Sequence, residues 1–364
     1  MMPANQPDHL LTTRQHFDIL DGLRGVAAVA VVFFHFMEIA VPDPAQNIVT
    51  HTYLAVDFFF CLSGFVIAYA YSSRLQQIGV ATFLKLRLIR LHPLVIIGSV
   101  LGLLTFVFDP FSNLQQVYGA GQTLLLFITS CFMIPYPIVH ERYANLFHLN
   151  APSWSLFWEY IANIFYALVL VKLRDKALWL LTALAAAALC YEAYRSGYLG
   201  VGWGGDNVTG GANRVAFSFL AGIMVYRSGW IIRSRLGFIP LTLLLLAAFV
   251  VPYADKFNPF TDTLLIVFYF PLLVALGAGA QLSPRLTRLC KFSGNISYPL
   301  YMTHYPFIWL YFSYLQAKKP TPAQLQVIIP VAVVLLVVLA YLILVFVDAP
   351  IRRYLKNRMR AKAA

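Results

Sequence analysis

The chain reads as an all-α protein, a polytopic integral membrane bundle of about ten transmembrane helices plus one re-entrant or interfacial segment. Three observations lead there. Hydrophobic residues make up 60% of the chain and DEKR only 12%, beyond the needs of a soluble core. Apolar runs near the length of a bilayer crossing recur along the chain. The Lys and Arg that give a net charge of +12 gather between those runs and after Pro350, the pattern of cytoplasmic membrane loops. Outer-membrane strands would alternate in short segments instead. The composition also excludes a soluble nucleic-acid binder, so the positive charge concerns membrane lipids and topology.

The first run, 19–40, contains no proline and carries Asp21, Arg24, His35 and Glu38. Arg24 and His35 are eleven residues apart, about three turns, so they share a face about 16 Å apart along the axis. Ionisable groups at that depth are costly and line a cavity or pathway; a buried histidine satisfied inside the bundle is the plainer alternative. The second run, 52–72, holds Asp57 and the sequence CLSGF, whose Ser63 and Gly64 permit close helix contact. A basic connector follows at 73–92, and its FLKLRLIRLHP half is expected to lie in the interface ahead of a span at 94–109. Arg87 and Arg90 share a helical face. With Lys85 and His92 they form a basic patch suited to phosphate oxygens or to lipid headgroups.

Spans are then expected at 153–171, 177–195, 212–227, 236–252, 261–281, 294–315 and 324–347. They place the basic loops at 172–176, 227–235 and 283–291 on the cytoplasmic side, together with both termini. Parity then requires 118–138 to enter and leave on one side. Residues 1–18 form an N-terminal tail with no cleavable signal, 19–347 the membrane domain, and 348–364 a basic C-terminal tail. The four cysteines have no paired spacing, so no metal or disulfide framework is expected. Asn207-Val208-Thr209 matches the glycosylation pattern, a short and unspecific motif.

The candidate site residues follow from position. His35 is the general-base candidate, with Glu38 or Asp57 to orient its ring. Ser155, Glu159 and Asn163 make a polar stripe inside an apolar helix. Arg214 is expected to pair with an acid such as Glu159. Tyr301 and His304, three apart, extend the polar set, His304 reading equally as a satisfied interior histidine.

Five ordered signals resemble the membrane-bound acyltransferase-3 family of O-acyltransferases. They are Arg24 with ten residues before His35, VDFFFCLSGF at 56–65, FLKLRLIRLHP with Arg87 and Arg90, WSLFWE at 154–159, and GNISYPLYMTH at 294–304. The resemblance covers nearly the whole chain. It implies transfer of an acyl group, most often acetyl, from acyl-CoA to a hydroxyl of an extracytoplasmic glycan such as an exopolysaccharide, a glycolipid or a related acceptor. It implies acyl-CoA as a donor substrate rather than a permanently bound cofactor, and the bacterial inner membrane as the location. It makes His35 the essential residue, has Arg24 complete its motif, sets Arg87 and Arg90 toward the donor, and gives Glu159 a motif position. Glu38, Ser155, Asn163, Arg214, Tyr301 and His304 remain for the acceptor. Asp348 stands where the family commonly has glutamate. Many relatives carry an added extracellular hydrolase-like domain; without one, transfer is expected to be direct or to use a separate partner. A base role and a covalent acyl-histidine are both open, and a transporter of donor or glycolipid is the alternative class. The acyltransferase reading expects a thin water-accessible tunnel through the bundle, reaching His35.

Overall fold

A computed structural model describes residues 16–361, so most of the expected tail at 1–18 lies outside the described residues. Among these residues, eight helices are long and apolar enough to cross a membrane, and the protein is an all-α polytopic bundle. The helices are α1 (Asp18–Ala40), α2 (Ala55–Tyr71), α3 (Val80–Val107), α4 (Leu114–Cys131), α5 (Ser153–Leu168), α6 (Asp175–Ser196), α7 (Val208–Arg227), α8 (Phe238–Phe249), α9 (Asn258–Gly279), α10 (Pro284–Thr303), α11 (Tyr305–Lys318), α12 (Pro322–Ile343) and α13 (Ala349–Ala361).

Two parallel helix pairs form the frame. Along α1 and α10 the contacts climb in step. The Ser293 hydroxyl donates to the Gly22 carbonyl at 3.1 Å, Arg24 donates to Gly294 and Ser297, and the rings of His35 and His304 stack. Helices α2 and α7 climb together from Asp57 with Arg214 to Tyr69 with Tyr226. A side chain on Gly64 would strike the Phe219 carbonyl, and one on Gly222 the Cys61 carbonyl. Small residues thus let α2 and α7 meet backbone to backbone, as helices without a hydrophobic drive between them require.

Three expected elements differ. The segment 83–93 is not a separate element ahead of a span. Gly79, at φ 77°, starts α3 at Val80, and the helix continues through Pro93 to Val107, about 42 Å. Proline removes one N–H, which a packed membrane helix tolerates, and the apolar residues of 83–91 keep the face inside. Arg87 is therefore buried. The expected span 236–252 is the short helix α8, twelve residues or about 18 Å. The expected span 294–315 begins ten residues earlier and breaks at His304 into α10 and α11, with Pro306 at the start of the second piece.

Segment 118–138 folds back on itself, so its two ends lie together. Helix α4 descends beside α3 until Ser130 meets Ser99 at 2.8 Å. The chain then returns, and the Tyr118 hydroxyl donates to the Ile138 carbonyl and to Glu141. Arg142 closes on Asp109, beyond the end of α3, at 3.0 Å.

Candidate active site

Helix α1 sets Arg24 and His35 at opposite ends of one face. At the far end, His35 Nδ1 lies 2.5 Å from Glu38 Oε1, one helical turn on. A carboxylate only accepts, so Nδ1 is the donor in this contact and Nε2 is left free of it. The ring stacks on His304 with centroids 5.3 Å apart and meets Tyr305 edge-on at 4.9 Å. The side chain is 20% exposed, so it opens beside Glu38 rather than being sealed. His304 is fully buried. Its Nδ1 donates to the carbonyls of Leu300 and Tyr301 at 3.0 and 2.9 Å, which fixes the tautomer and leaves a buried Nε2 with no hydrogen-bond partner.

At the near end, a cavity of about 160 Å³ lies among α1, α2, α3, α5 and α10. Arg24, Arg87, Arg90, Glu159, Tyr298 and Tyr301 are among its walls. Glu159 is its hub: Oε1 accepts from Ser63 at 2.5 Å, Arg87 at 3.1 Å and Asn163 at 3.0 Å. Arg24 is oriented by Ser297 at 2.9 Å, the Gly294 carbonyl at 2.7 Å and Asp21 at 3.1 Å. Arg87 Nε is buried without a partner, and three arginines give the cavity walls positive charge. Arginine forks suit phosphate or carboxylate oxygens.

The expected tunnel is not continuous, because the cavity stops short of His35. His35 does not line the cavity, whose deep wall is Tyr301 and Phe59. These two rings meet at 5.7 Å, and the Tyr301 hydroxyl lies 2.8 Å from Ser155 Oγ. Tyr301 lies 6.0 Å from His304 by ring centroids, so one aromatic layer separates the cavity from the stacked histidines.

The other singled-out residues divide clearly. Arg214 pairs with Asp57 at 2.6 Å, not with Glu159, because the α2–α7 contact brings Asp57 to it. Asp57 is fully buried in that pair and bonded by Ser218, so of the two acids weighed for His35 it is Glu38 that touches the ring. Arg214 and Asn163 are not cavity walls, and Asn163 reaches the site only through Glu159. Lys85 is exposed and faces away from the cavity. Ser63 and Phe59 are site residues that the linear reading left unassigned. Ser63 is six residues past Asp57 and so off its face, the one signal that set them apart.

The comparisons with known proteins follow this geometry. Two curated relatives match. "Protein 2 in picA locus" of Rhizobium radiobacter is 35% identical over 189 residues, 49% of this chain and 95% of that protein. "Acyltransferase MdmB" of Streptomyces mycarofaciens is 30% identical over 183 residues, 47% of this chain and 44% of that protein. The matched part is thus under half the length of the second relative. No solved structure matches. The model of the acyltransferase 3 family, described as an acyltransferase domain, matches residues 17–347, and the chain, a multi-pass membrane enzyme, belongs to that family.

Proposed function

We propose that this protein transfers an acyl group, most often acetyl, from acyl-CoA to a hydroxyl of a glycan, glycolipid or related acceptor outside the inner membrane. Both termini are then cytoplasmic, and the Arg24 end faces the cytoplasm. The observation carrying the reading is the division of labour along α1: a cation-walled cavity around Arg24 and a carboxylate-backed imidazole at His35, about 16 Å further along.

The donor's phosphates lie toward Arg87, Arg90 and Arg24, and its pantetheine arm runs inward along Phe59 and Tyr301. Rotation of Tyr301 away from Ser155 opens the cavity toward His35 and admits the thioester. The acceptor hydroxyl approaches past Glu38. His35 Nε2 takes the hydroxyl proton as the oxygen attacks the thioester carbonyl. The tetrahedral intermediate collapses, the C–S bond breaks, and the imidazolium returns its proton to the departing thiolate. Glu38 stabilises the imidazolium between the two steps, and neutral His304 packs against its face.

The test is mass spectrometry of surface glycans and lipids from cells with the wild-type chain, without it, and with His35→Ala. One species gaining one acyl group only with the wild-type chain is the expected result. Undiminished acylation by the variant, with the protein present in the membrane, would remove His35 from the chemistry.

A further inference from the structure

The last helix, α13, carries a basic stripe toward Arg90. It follows α12 through a π-type turn, Leu344–Asp348, and packs against α3. Arg352, Lys356 and Arg360 are spaced by four and share one stripe. Lys356 lies within electrostatic reach of Arg352, Arg360 and Arg90, and Arg90 is itself a wall of the cavity. Arg90 is also within reach of Arg24 and Arg87, so the two helices bring their cations to one place.

The counter-charges nearby are already committed. Arg24 has Asp21, Arg87 has Glu159 and Arg352 has Asp348 at 2.6 Å. Among the described residues, no carboxylate stands at ion-pair distance from Arg90 or Lys356. Asp348, paired with Arg352, also lies within electrostatic reach of Arg90, but the cations outnumber it, and an excess of like charge beside a cavity recruits an anion.

We infer that α13 completes a phosphate-binding site beside the cavity, in which Lys356 joins Arg90 in holding the phosphate groups of the donor's nucleotide. The inference rests on the acyl-CoA reading above. An anionic lipid headgroup offers the same chemistry, so the experiment separates the two sources.

Coenzyme A and, separately, pantetheine are titrated calorimetrically into the full chain in phosphatidylcholine nanodiscs. The chains are wild type, Lys356→Ala, Lys356→Glu, Lys356→Arg and Lys318→Ala. Lys356→Ala weakens coenzyme A binding about tenfold, the effect of one charge-assisted hydrogen bond. Lys356→Glu weakens it further, and Lys356→Arg restores it. Lys318→Ala, an equal loss of charge on exposed α11 away from the cavity, keeps wild-type affinity. Pantetheine, which has no phosphate, binds all five alike. Wild-type affinity for coenzyme A in Lys356→Glu overturns the inference. If that variant instead loses phosphatidylglycerol seen bound to the wild type by native mass spectrometry, the cluster belongs to lipid. A wild-type chain that binds no coenzyme A overturns the donor reading itself, a different failure.

Discussion

Two buried arginine–carboxylate pairs between helices, Asp57–Arg214 between α2 and α7 and Arg87–Glu159 between α3 and α5, are built differently. Every guanidinium nitrogen of Arg214 has a partner. The side chain donates to Asp57 twice, to the Val201 carbonyl at 2.8 Å and to the Tyr53 carbonyl at 2.9 Å, and it lies over Trp154. Both partners are sealed, with side chains 1% and 0% exposed. Arg87 makes one bond to Glu159, keeps an unpartnered Nε, and faces a cavity. A sealed charge with a partner at every nitrogen holds helices in place, whereas one whose guanidinium lines a cavity is available to a ligand. Both contain the same residue types, so only the surroundings distinguish them.

The comparison can be broken in four places, the largest effect first. Arg214→Ala leaves Asp57 buried without its partner, a loss of about 3–5 kcal/mol. The expected outcome is little monodisperse protein by size-exclusion chromatography. Arg87→Ala leaves Glu159 with Ser63 and Asn163 and with access to the cavity, and costs about 1–2 kcal/mol. That variant folds, and its KM for acyl-CoA rises roughly tenfold or more in a steady-state assay. If the two variants lose stability equally in a thermal melt, the distinction collapses. Glu38→Gln keeps an acceptor for His35 Nδ1 but removes the charge that stabilises the imidazolium, so kcat falls roughly 10–100-fold with the melting temperature unmoved. Ser155→Ala removes a single neutral hydrogen bond from Tyr301, about 1 kcal/mol. It frees the aromatic layer, and the measurable sign is faster bimane labelling of a cysteine placed at Phe59 from the cavity side.

Much of this was legible beforehand, in a particular way. The shared face of Arg24 and His35 needed only a helix through 19–40, and α1 is unbroken. The polar stripe Ser155, Glu159 and Asn163 likewise lies along one inner face of α5, all three buried. The re-entrant segment came from charge parity, a constraint the bilayer imposes on loops. What misled was local chemistry read too literally. Pro93 looked like a boundary and is an interior residue of α3. Glu159 and Arg214 looked complementary, yet each found a nearer partner. Asp109, Arg142 and Ser313, which tie the re-entrant segment to α11, are scattered along the chain with no periodic signal to join them.

The sequence by itself determined which segments are helical and apolar, and which side chains share a face. Those depend on hydrogen bonds four residues apart and on the polarity of each turn. Tertiary structure alone decided which charge meets which, that Glu38 rather than Asp57 backs His35, that His304 stacks on it, and that Tyr301 divides the cavity from both. Such choices depend on the rotation and depth of one helix against another. Close glycine contacts such as Gly64 on α7 and Gly222 on α2 fix those quantities, and no local periodicity encodes them.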